Sequence, residues 1–399
     1  MRPRLNKNSW FLLSAVGISS VGDWLNILAL MTVFSREYGA ASVAFLMAMR
    51  AVPGVLLGPW VANHIDRFDK IRTLMFLSVA QAALALMLGF LSGRWALLGV
   101  AAALSTLNLF SAPLIKALLP SVSGAASLNR VNSYFASIQS GSYVVVPLVS
   151  GVLISLFGPS VCFSIDAATF VVFGCLVGAV RLSHAGETAA APSGADGGGS
   201  IFQALINTPD LKRTLFAFAA AGFSLGTIYS VEISFFSKYL NVDPRGYGTF
   251  VALAGAGVLV GALVCGRITV RSRLERVFGA GLALFGAMTV LFSLNRSLVL
   301  AIGMIMLSGF GEGLFSVSGT TLVQLQSRAD RLAGNFTLLG VMSKSFSLLA
   351  MIVAGIFMDR LQPAGLLLFA GLAALGIAAV FALAKTARAA VSPSPAAQS

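Results

Sequence analysis

The chain has 399 residues, of which 57% are hydrophobic and 10% charged, and its mean hydropathy is +0.89. So little polar surface cannot cover a water-soluble globule of this length, which excludes a soluble enzyme or binding domain. The formal net charge is +13, and most Lys and Arg residues fall in turns between apolar runs. This pattern predicts basic cytoplasmic turns facing an anionic inner leaflet, and it implies no nucleic-acid partner.

Apolar runs long enough to cross a bilayer occur six times on each side of a polar linker. A span needs about 20 apolar residues, and these runs lack the alternation of membrane β-strands. The predicted spans are residues 10–34, 41–63, 73–91, 95–119, 131–157, 161–180, 214–236, 247–270, 277–294, 298–323, 336–358 and 364–384. We therefore expect an all-α integral membrane protein with twelve transmembrane helices, both termini being cytoplasmic.

The linker divides the chain into two similar halves. Its Gly/Ala/Ser-rich residues 184–200 indicate a flexible, solvated connection, and residues 201–213 are expected to lie along the inner membrane surface. Sequence matches such as Phe34-Ser-Arg with Phe236-Ser-Lys indicate two parallel repeats. The predicted segments are a six-helix bundle at 1–181, a cytoplasmic linker at 182–213, a second six-helix bundle at 214–385 and a disordered tail at 386–399.

A charged turn, the elbow, occupies residues 58–72 between the second and third predicted spans. Its sequence resembles the Gly-x-x-x-Asp-Arg-x-Gly-Arg-Arg signature of the major facilitator superfamily, although Ala62 and Asp69 stand where that signature has Gly. The resemblance implies a conformational latch that joins neighbouring helix ends and opens during alternating access. The latch residues would be Asp66, Arg67, Lys70 and Arg72. The alternative is a solvated charge cluster that only fixes the topology.

Two further stretches are similar to the exporter branch of that family, which includes macrolide and siderophore exporters. Residues 128–134, followed by Gly141, Pro147 and Gly151, resemble the start of span five and its antiporter motif, with Val146 and Ser150 replacing usual glycines. Pro and Gly in a span permit bending and close helix packing.

The sequence from Phe163 to Phe170 resembles the Asp-Ala-x-Ser/Thr-Phe pattern of span six in the exporter branch. Its Asp166 lies only a short way into the predicted span. A helix-packing role is therefore favoured over a role in transport.

Charged residues within the predicted spans are candidates for proton coupling or substrate binding. A charge at the bilayer centre costs at least ~2.5 kcal/mol on insertion scales, so each such residue is a functional candidate by default. Besides Asp166, these candidates are Asp23, Arg50, Glu232, Glu312 and Lys344.

Asp23 is the first choice for proton coupling. It lies in the middle of span one, and a low-dielectric environment favours the protonated form of a carboxylic acid. The resemblance also implies that span one lines the central cavity. The alternative is a structural ion pair with Arg50 in the adjoining span, and both interpretations can hold, since a pair that opens can exchange a proton.

In the second half, Glu312 follows the small residues of Ser308-Gly-Phe-Gly. It is predicted to bind substrate or a proton, or to form a buried pair with Lys344. Glu232 lies nearer the outer end of span seven, where exposure to solvent is the stronger interpretation.

Nothing in the sequence indicates nucleotide, hydrolytic or metal chemistry. It contains no Gly-x-x-x-x-Gly-Lys-Ser/Thr phosphate loop, and its two His and three Cys residues are scattered. We expect no enzyme activity, no cofactor and no metal.

The family resemblance implies a monomeric secondary transporter of the inner membrane that exports drugs or siderophores by proton-coupled alternating access. A lysophospholipid flippase or a nutrient uptake transporter on the same fold remains an alternative. A membrane enzyme or sensor is disfavoured, because no catalytic cluster or soluble output domain is evident.

Overall fold

The computed structural model describes residues 5–38, 40–124, 127–181, 209–242, 244–268 and 270–391. The structure is 92% helical, and this part of the chain contains no strand. Continuously apolar segments must satisfy their backbone groups internally, and helices do so within one segment.

Six helices precede the linker. They are α1 Lys7–Tyr38, α2 Ala40–His64, α3 Lys70–Leu88, α4 Arg94–Ser123, α5 Leu128–Phe157 and α6 Pro159–Gly178. Gly158 separates α5 from α6 with a backbone φ of 79°, a left-handed conformation that glycine adopts without strain. Pro159 then begins α6, where its missing N–H costs no helical hydrogen bond.

The second half contains α7 Pro209–Leu240, α8 Pro244–Cys265, α9 Arg271–Leu294, α10 Leu298–Gln326 and α11 Leu332–Val391. The long α11 breaks at Gln362, whose φ is 57°. Two candidate spans, Ala329–Met358 and Arg360–Leu383, cover most of α11 and the short turn before it. Pro363 follows the break, and a proline disfavours helical geometry in the residue before it.

The described helices agree with the predicted all-α fold of twelve spans. Ten are long and apolar enough to cross a membrane. Helix α5 adds an eleventh span if its two segments, which meet at a bend of 40° after Pro147, are counted together. A shorter apolar helix, Thr249–Cys265, lies where the eighth span was predicted.

Two compact units divide the chain. The first contains the described residues of 1–208 and of 323–341, and the second contains those of 209–322 and of 342–399. Most of the predicted linker, residues 182–208, and the end of the predicted tail, 392–399, lie outside the described residues. Residues 209–213, expected along the membrane surface, form the start of α7. No pattern in the sequence predicts that residues 323–341 belong to the first unit.

In the first unit, α6 packs against α1, α3 and α5, while α2 packs against α4. Leucines and phenylalanines such as Leu30, Phe34 and Phe163 fill one apolar core. Helix α1 approaches α6 closely at Gly22, where a Cβ atom would overlap Thr169 Oγ1 and lie 2.5 Å from Asp166 Oδ1. Only glycine fits there.

In the second unit, small residues bring α8 and α10 into backbone contact. A Cβ atom on Gly257, Gly261, Gly309 or Gly313 would overlap a backbone oxygen of the facing helix. Such glycine contacts are a common way for membrane helices to approach closely, because apolar side chains gain little by leaving lipid.

We predict that Gly309→Ala lowers stability, because its methyl group would collide with the carbonyl oxygen of Ala254. Forcing a methyl group into a filled contact costs about 1–3 kcal/mol. Gly303→Ala in the same helix is the matched control, since a Cβ there meets no atom within 4 Å. Thermal unfolding in detergent should show a lower midpoint for Gly309→Ala alone, and equal midpoints for the two variants would contradict the contact.

Candidate functional site

A polar cluster lies within the otherwise apolar first unit. It consists of Asp23 and Asn26 on α1, Arg50 on α2 and Asp166 on α6. Asn26 and Asp166 are 3% and 1% exposed, whereas Asp23 and Arg50 are half-buried. Two carboxyl groups and one guanidinium thus share a region where charge is costly.

One hydrogen bond and several longer-range charge interactions organise the polar cluster. Asn26 Nδ2 donates to Asp166 Oδ2 at 2.7 Å. The charge of Arg50 acts on both carboxyl groups, and the two carboxyl groups act on each other. Within the described residues no ion pair of 4.0 Å or less joins Asp23 to Arg50, so the predicted pair is an interaction at longer range.

Three atoms of the polar cluster are buried without a hydrogen-bond partner in the described residues. They are Asn26 Oδ1, Arg50 Nη1 and Asp166 Oδ1. A buried polar atom left unpaired costs about 1–3 kcal/mol, so each such atom calls for an explanation such as a bound proton, water or ligand.

Asn26 is not among the residues predicted from the sequence, and Asp166 is predicted there to serve helix packing. Asn26 lies three residues after Asp23, a spacing that places both on one helix face, and this was the available signal. Asp166 does lie against Gly22 at the contact of α1 with α6, but it also hydrogen-bonds Asn26 within the polar cluster.

Further polar contacts line the helices around the polar cluster. Ser20 Oγ, one turn before Asp23 on α1, donates to Gln139 Oε1 on α5 at 2.6 Å. Gln81 Nε2 on α3 donates to Asn108 Oδ1 on α4 at 2.9 Å. Uncharged hydrogen-bonding groups therefore accompany the charged ones in the first unit.

In the second unit, Glu232 on α7 and Glu312 on α10 are half-buried and act electrostatically on each other. Gly311 and Gly313 flank Glu312 and contact the backbones of α9 and α8. Lys344 on α11 is exposed, and in the described part of the unit no ion pair joins it to Glu312. The predicted buried pair of these two residues is therefore not observed.

The elbow places Asp66 at the start of α11. Its two carboxylate oxygens accept the backbone N–H groups of Ala333 and Gly334, each at 2.7 Å. Helix α11 begins at Leu332, so these are N–H groups of its first turn, which have no partner within the helix. A carboxylate there also interacts favourably with the helix dipole.

Basic residues surround this contact unevenly. The charges of Lys70 and Arg331 act on Asp66, whereas the side chains of Arg67 and Arg72 are exposed. Asp69, which replaces a glycine of the family signature, accepts the backbone N–H of Arg72 at 2.7 Å and caps α3. The unusual residue thus helps to start the helix that follows the elbow.

A second contact of segment 323–341 within the first unit is uncharged. Gln324 Nε2 donates to the backbone carbonyl of Lys116 at 2.9 Å, and Gln324 Oε1 accepts from Asn132 Nδ2. The Lys116 ammonium lies 5.4 Å from the centre of the Phe336 ring. The sequence analysis missed Gln324, because a lone glutamine near a helix end carries no distinctive pattern.

The antiporter-like residues of α5 differ in their surroundings. The helix bends by 40° at Pro147, which lacks an N–H for the helical ladder. A Cβ atom on Gly141 or Gly151 would meet no described atom within 4 Å. The structure therefore gives these glycines no close helix contact of the kind expected.

A charge network occupies the corresponding turn of the second unit. Arg213 pairs with Glu275 at 3.6 Å, and Arg271 pairs with Asp210 at 3.6 Å and with Glu275 at 4.0 Å. Val270 stands at the position that corresponds to Asp66 in the second repeat. Asp210 and Glu275, which the sequence analysis did not identify, supply the carboxylates instead.

The long apolar helices and the charged residues buried among them define a polytopic helical transporter. No group of three or more His, Cys, Asp or Glu residues suited to a metal occurs among the described residues. A sequence model of the Major Facilitator Superfamily matches residues 12–330 and, in a second match, 214–399. The chain belongs to this family and is a transporter, not an enzyme.

Curated relatives include transporters described as exporters. An uncharacterized MFS-type transporter, YfiS of Bacillus subtilis, is 30% identical over 72% of this chain and 70% of its own. The putative bacilysin exporter BacE of Bacillus amyloliquefaciens is 23% identical over 45% of this chain and 46% of its own. Macrolide efflux protein A of Streptococcus pyogenes is 23% identical over 40% of this chain and 41% of the efflux protein's own length.

A bacterial homologue of the iron transporter ferroportin, solved in an outward-facing state, has the same fold. Its TM-score is 0.75 over 96% of this chain and 100% of its own, at 17% sequence identity. This similarity confirms the predicted twelve-helix major facilitator fold.

We predict that Asp66→Ala loosens the start of α11. The substitution removes both acceptors of the Ala333 and Gly334 N–H groups, and hydrogen bonds to charged groups contribute about 1.5–3 kcal/mol each. Amide hydrogen exchange across residues 329–341 should accelerate by about tenfold or more. Asp69→Ala, which uncaps α3 only, is the control, and equal acceleration in both variants would refute the specific contact.

We also predict that Glu275→Gln destabilises the second unit. The side chains of Arg213 and Glu275 are only 10% and 11% exposed, so removing the carboxylate leaves a nearly buried cation with one partner fewer. A cost of about 1–3 kcal/mol is expected. Asp330→Asn, in an exposed pair with Arg328, should cost less than about 1 kcal/mol. Similar detergent melting points for both variants would show that burial of the pair is unimportant.

Proposed function

We propose that the protein exports small amphipathic molecules, of the drug or siderophore type, in exchange for protons. The observation that carries this proposal is the polar cluster, which holds two carboxyl groups and one guanidinium inside an apolar bundle. The descriptions of BacE and of macrolide efflux protein A as exporters support the direction of transport.

The polar cluster supplies a physical basis for proton coupling. Arg50 can balance one carboxylate, so the second carboxylate carries excess charge until it binds a proton. Because charge inside the bundle is costly, proton binding and release change the energy of the surrounding helices. In this proposal Asp23 exchanges the proton with water during the cycle, because its side chain is less buried than that of Asp166.

Asp66 provides a latch of suitable strength for such a cycle. Its two hydrogen bonds to the start of α11 hold segment 323–341 in the first unit. Hydrogen bonds to a charged group contribute about 1.5–3 kcal/mol each, which binding of substrate or a proton can offset. The positive charge of Lys70 stabilises the ionised carboxylate of Asp66. The exposed Arg67 and Arg72 can bind anionic lipid headgroups, or helix ends in another conformation of the transport cycle.

In this proposal Glu232 and Glu312 bind the substrate. Two half-buried carboxyl groups that repel each other attract a cationic or proton-donating molecule. The exposed Lys344 is then a candidate contact for an anionic part of the same substrate. The basic turns favour cytoplasmic termini. The family resemblance supports a location in the inner membrane and the monomer as the working unit.

We predict that Asp23→Asn abolishes substrate-driven proton movement. Inside-out vesicles with an acidified lumen would receive candidate drugs or siderophores, and a lumenal pH dye would record proton release. The wild type should release protons on substrate addition, whereas the variant should show at least a tenfold slower response, because its amide cannot ionise.

Glu37→Gln is the matched control, because it removes an exposed carboxylate near the other end of α1. Equal responses of wild type and Asp23→Asn would assign Asp23 a structural role. If no compound moves protons with any variant, proton-coupled export itself is refuted, and lysophospholipid flipping and nutrient uptake become the functions to assay.

A further inference from the structure

Asp166 and Asn26 form an incomplete hydrogen-bonded pair inside the polar cluster. Asn26 Nδ2 donates to Asp166 Oδ2 at 2.7 Å, but Asp166 Oδ1 and Asn26 Oδ1 are both buried and have no partner in the described residues. Both of these oxygens are acceptors when the carboxyl group is ionised. The pair therefore lacks one donor.

The neighbouring residues do not supply that donor. The Thr169 hydroxyl donates its proton to the backbone carbonyl of Asp166 at 2.7 Å, so its additional interaction with the Asp166 carboxyl group shares a proton that is already donated. Gly22 presents no side chain, and its Cα lies so close that even a methyl group would meet Asp166 Oδ1.

We infer that Asp166 holds a proton on Oδ1 and donates it to Asn26 Oδ1. The carboxylic acid and the carboxamide then share two hydrogen bonds in one ring. The proton comes from water, no other bond is made or broken, and both buried oxygens gain a partner. Asp166 thereby becomes a second proton-binding residue beside Asp23, which deepens the proposed proton-coupled export and rests on it for the role in transport.

Charge balance favours the same arrangement. The charged groups that act on Asp166 are Asp23 of α1 and Arg50 of α2. Among the described residues, α3 and α5, which also pack against α6, add no charged group to this set. With Asp23 ionised beside Arg50 and a proton on Asp166, the polar cluster has no net charge. A second ionised carboxylate would leave one uncompensated negative charge within the bundle.

Infrared difference spectroscopy of the purified protein in lipid tests the inference without any transported substrate. At neutral pH, the spectrum of wild type minus Asp166→Asn should contain the carbonyl band of a protonated carboxyl group, and this band should shift in deuterated water. The isosteric amide can still pair with Asn26, so this variant is expected to fold. Glu37→Gln serves as the control, because it removes an exposed carboxyl group outside the polar cluster and should leave the band unchanged.

An exchange of the two side chains provides the second measurement. Asn26→Asp combined with Asp166→Asn keeps one carboxyl group and one carboxamide in the pair with their positions reversed. The double variant should regain the infrared band that Asp166→Asn loses. It should also regain at least a tenth of the wild-type proton release in vesicles, where Asp166→Asn alone shows less than a hundredth.

The outcomes separate this inference from the proposed function. Absence of the protonated band in wild type, or its persistence in Asp166→Asn, would overturn the inference and indicate an ionised Asp166 facing Arg50. Proton-coupled export through Asp23 would survive that result. If the band behaves as expected but no compound moves protons, the protonated pair stands and the export proposal fails.

Discussion

The high cost of placing charge in an apolar environment governs the structure of this transporter. Most of the chain consists of apolar helices whose backbone groups pair within each helix, and most charges lie in the turns. Within the described first unit, Asn26 donates a hydrogen bond to Asp166, and the charge of Arg50 acts on the carboxyl groups at longer range. Gly22 shows how packing and electrostatics combine, since the absence of its side chain lets α1 approach the carboxyl group of Asp166.

Each kind of contact in the first unit has a different strength and range. The polar cluster depends on charges acting over several ångströms, whereas Asp66 makes two short hydrogen bonds to N–H groups of buried residues in the first turn of α11. Gln324 adds uncharged hydrogen bonds to Lys116 and Asn132. Salt weakens long-range interactions of exposed charges but affects buried hydrogen bonds little. Segment 323–341 is therefore held mainly by contacts that are insensitive to ionic strength.

The fold could be predicted from sequence because span length and hydrophobicity leave few alternatives in a membrane. The bounds of α1 to α6 follow apolar runs and glycine or proline signals such as Gly158-Pro159. The site was predicted less completely, since the sequence marks Asp23 and Arg50 as intramembrane charges but does not specify the distance between them. Asn26, Gln324 and Glu275 were missed because their importance comes from residues far away in the chain. Lys344 shows the opposite error, in which a suitable charge at a plausible depth is exposed and forms no ion pair with Glu312 in the described part of the unit.

The single guanidinium opposite two carboxyl groups has a consequence for the energy source of transport. In the proposed exchange of substrate for protons, each cycle carries one positive charge inward with its proton if Arg50 keeps one carboxylate permanently balanced, and export of a neutral molecule is then electrogenic. The membrane voltage then contributes about 2.3 kcal/mol per 100 mV for that charge, in addition to the pH gradient. A cationic substrate leaving for one proton would cancel this contribution, and the pH gradient alone would drive its export. The charge of the cargo would thus determine whether the cell's voltage assists its removal.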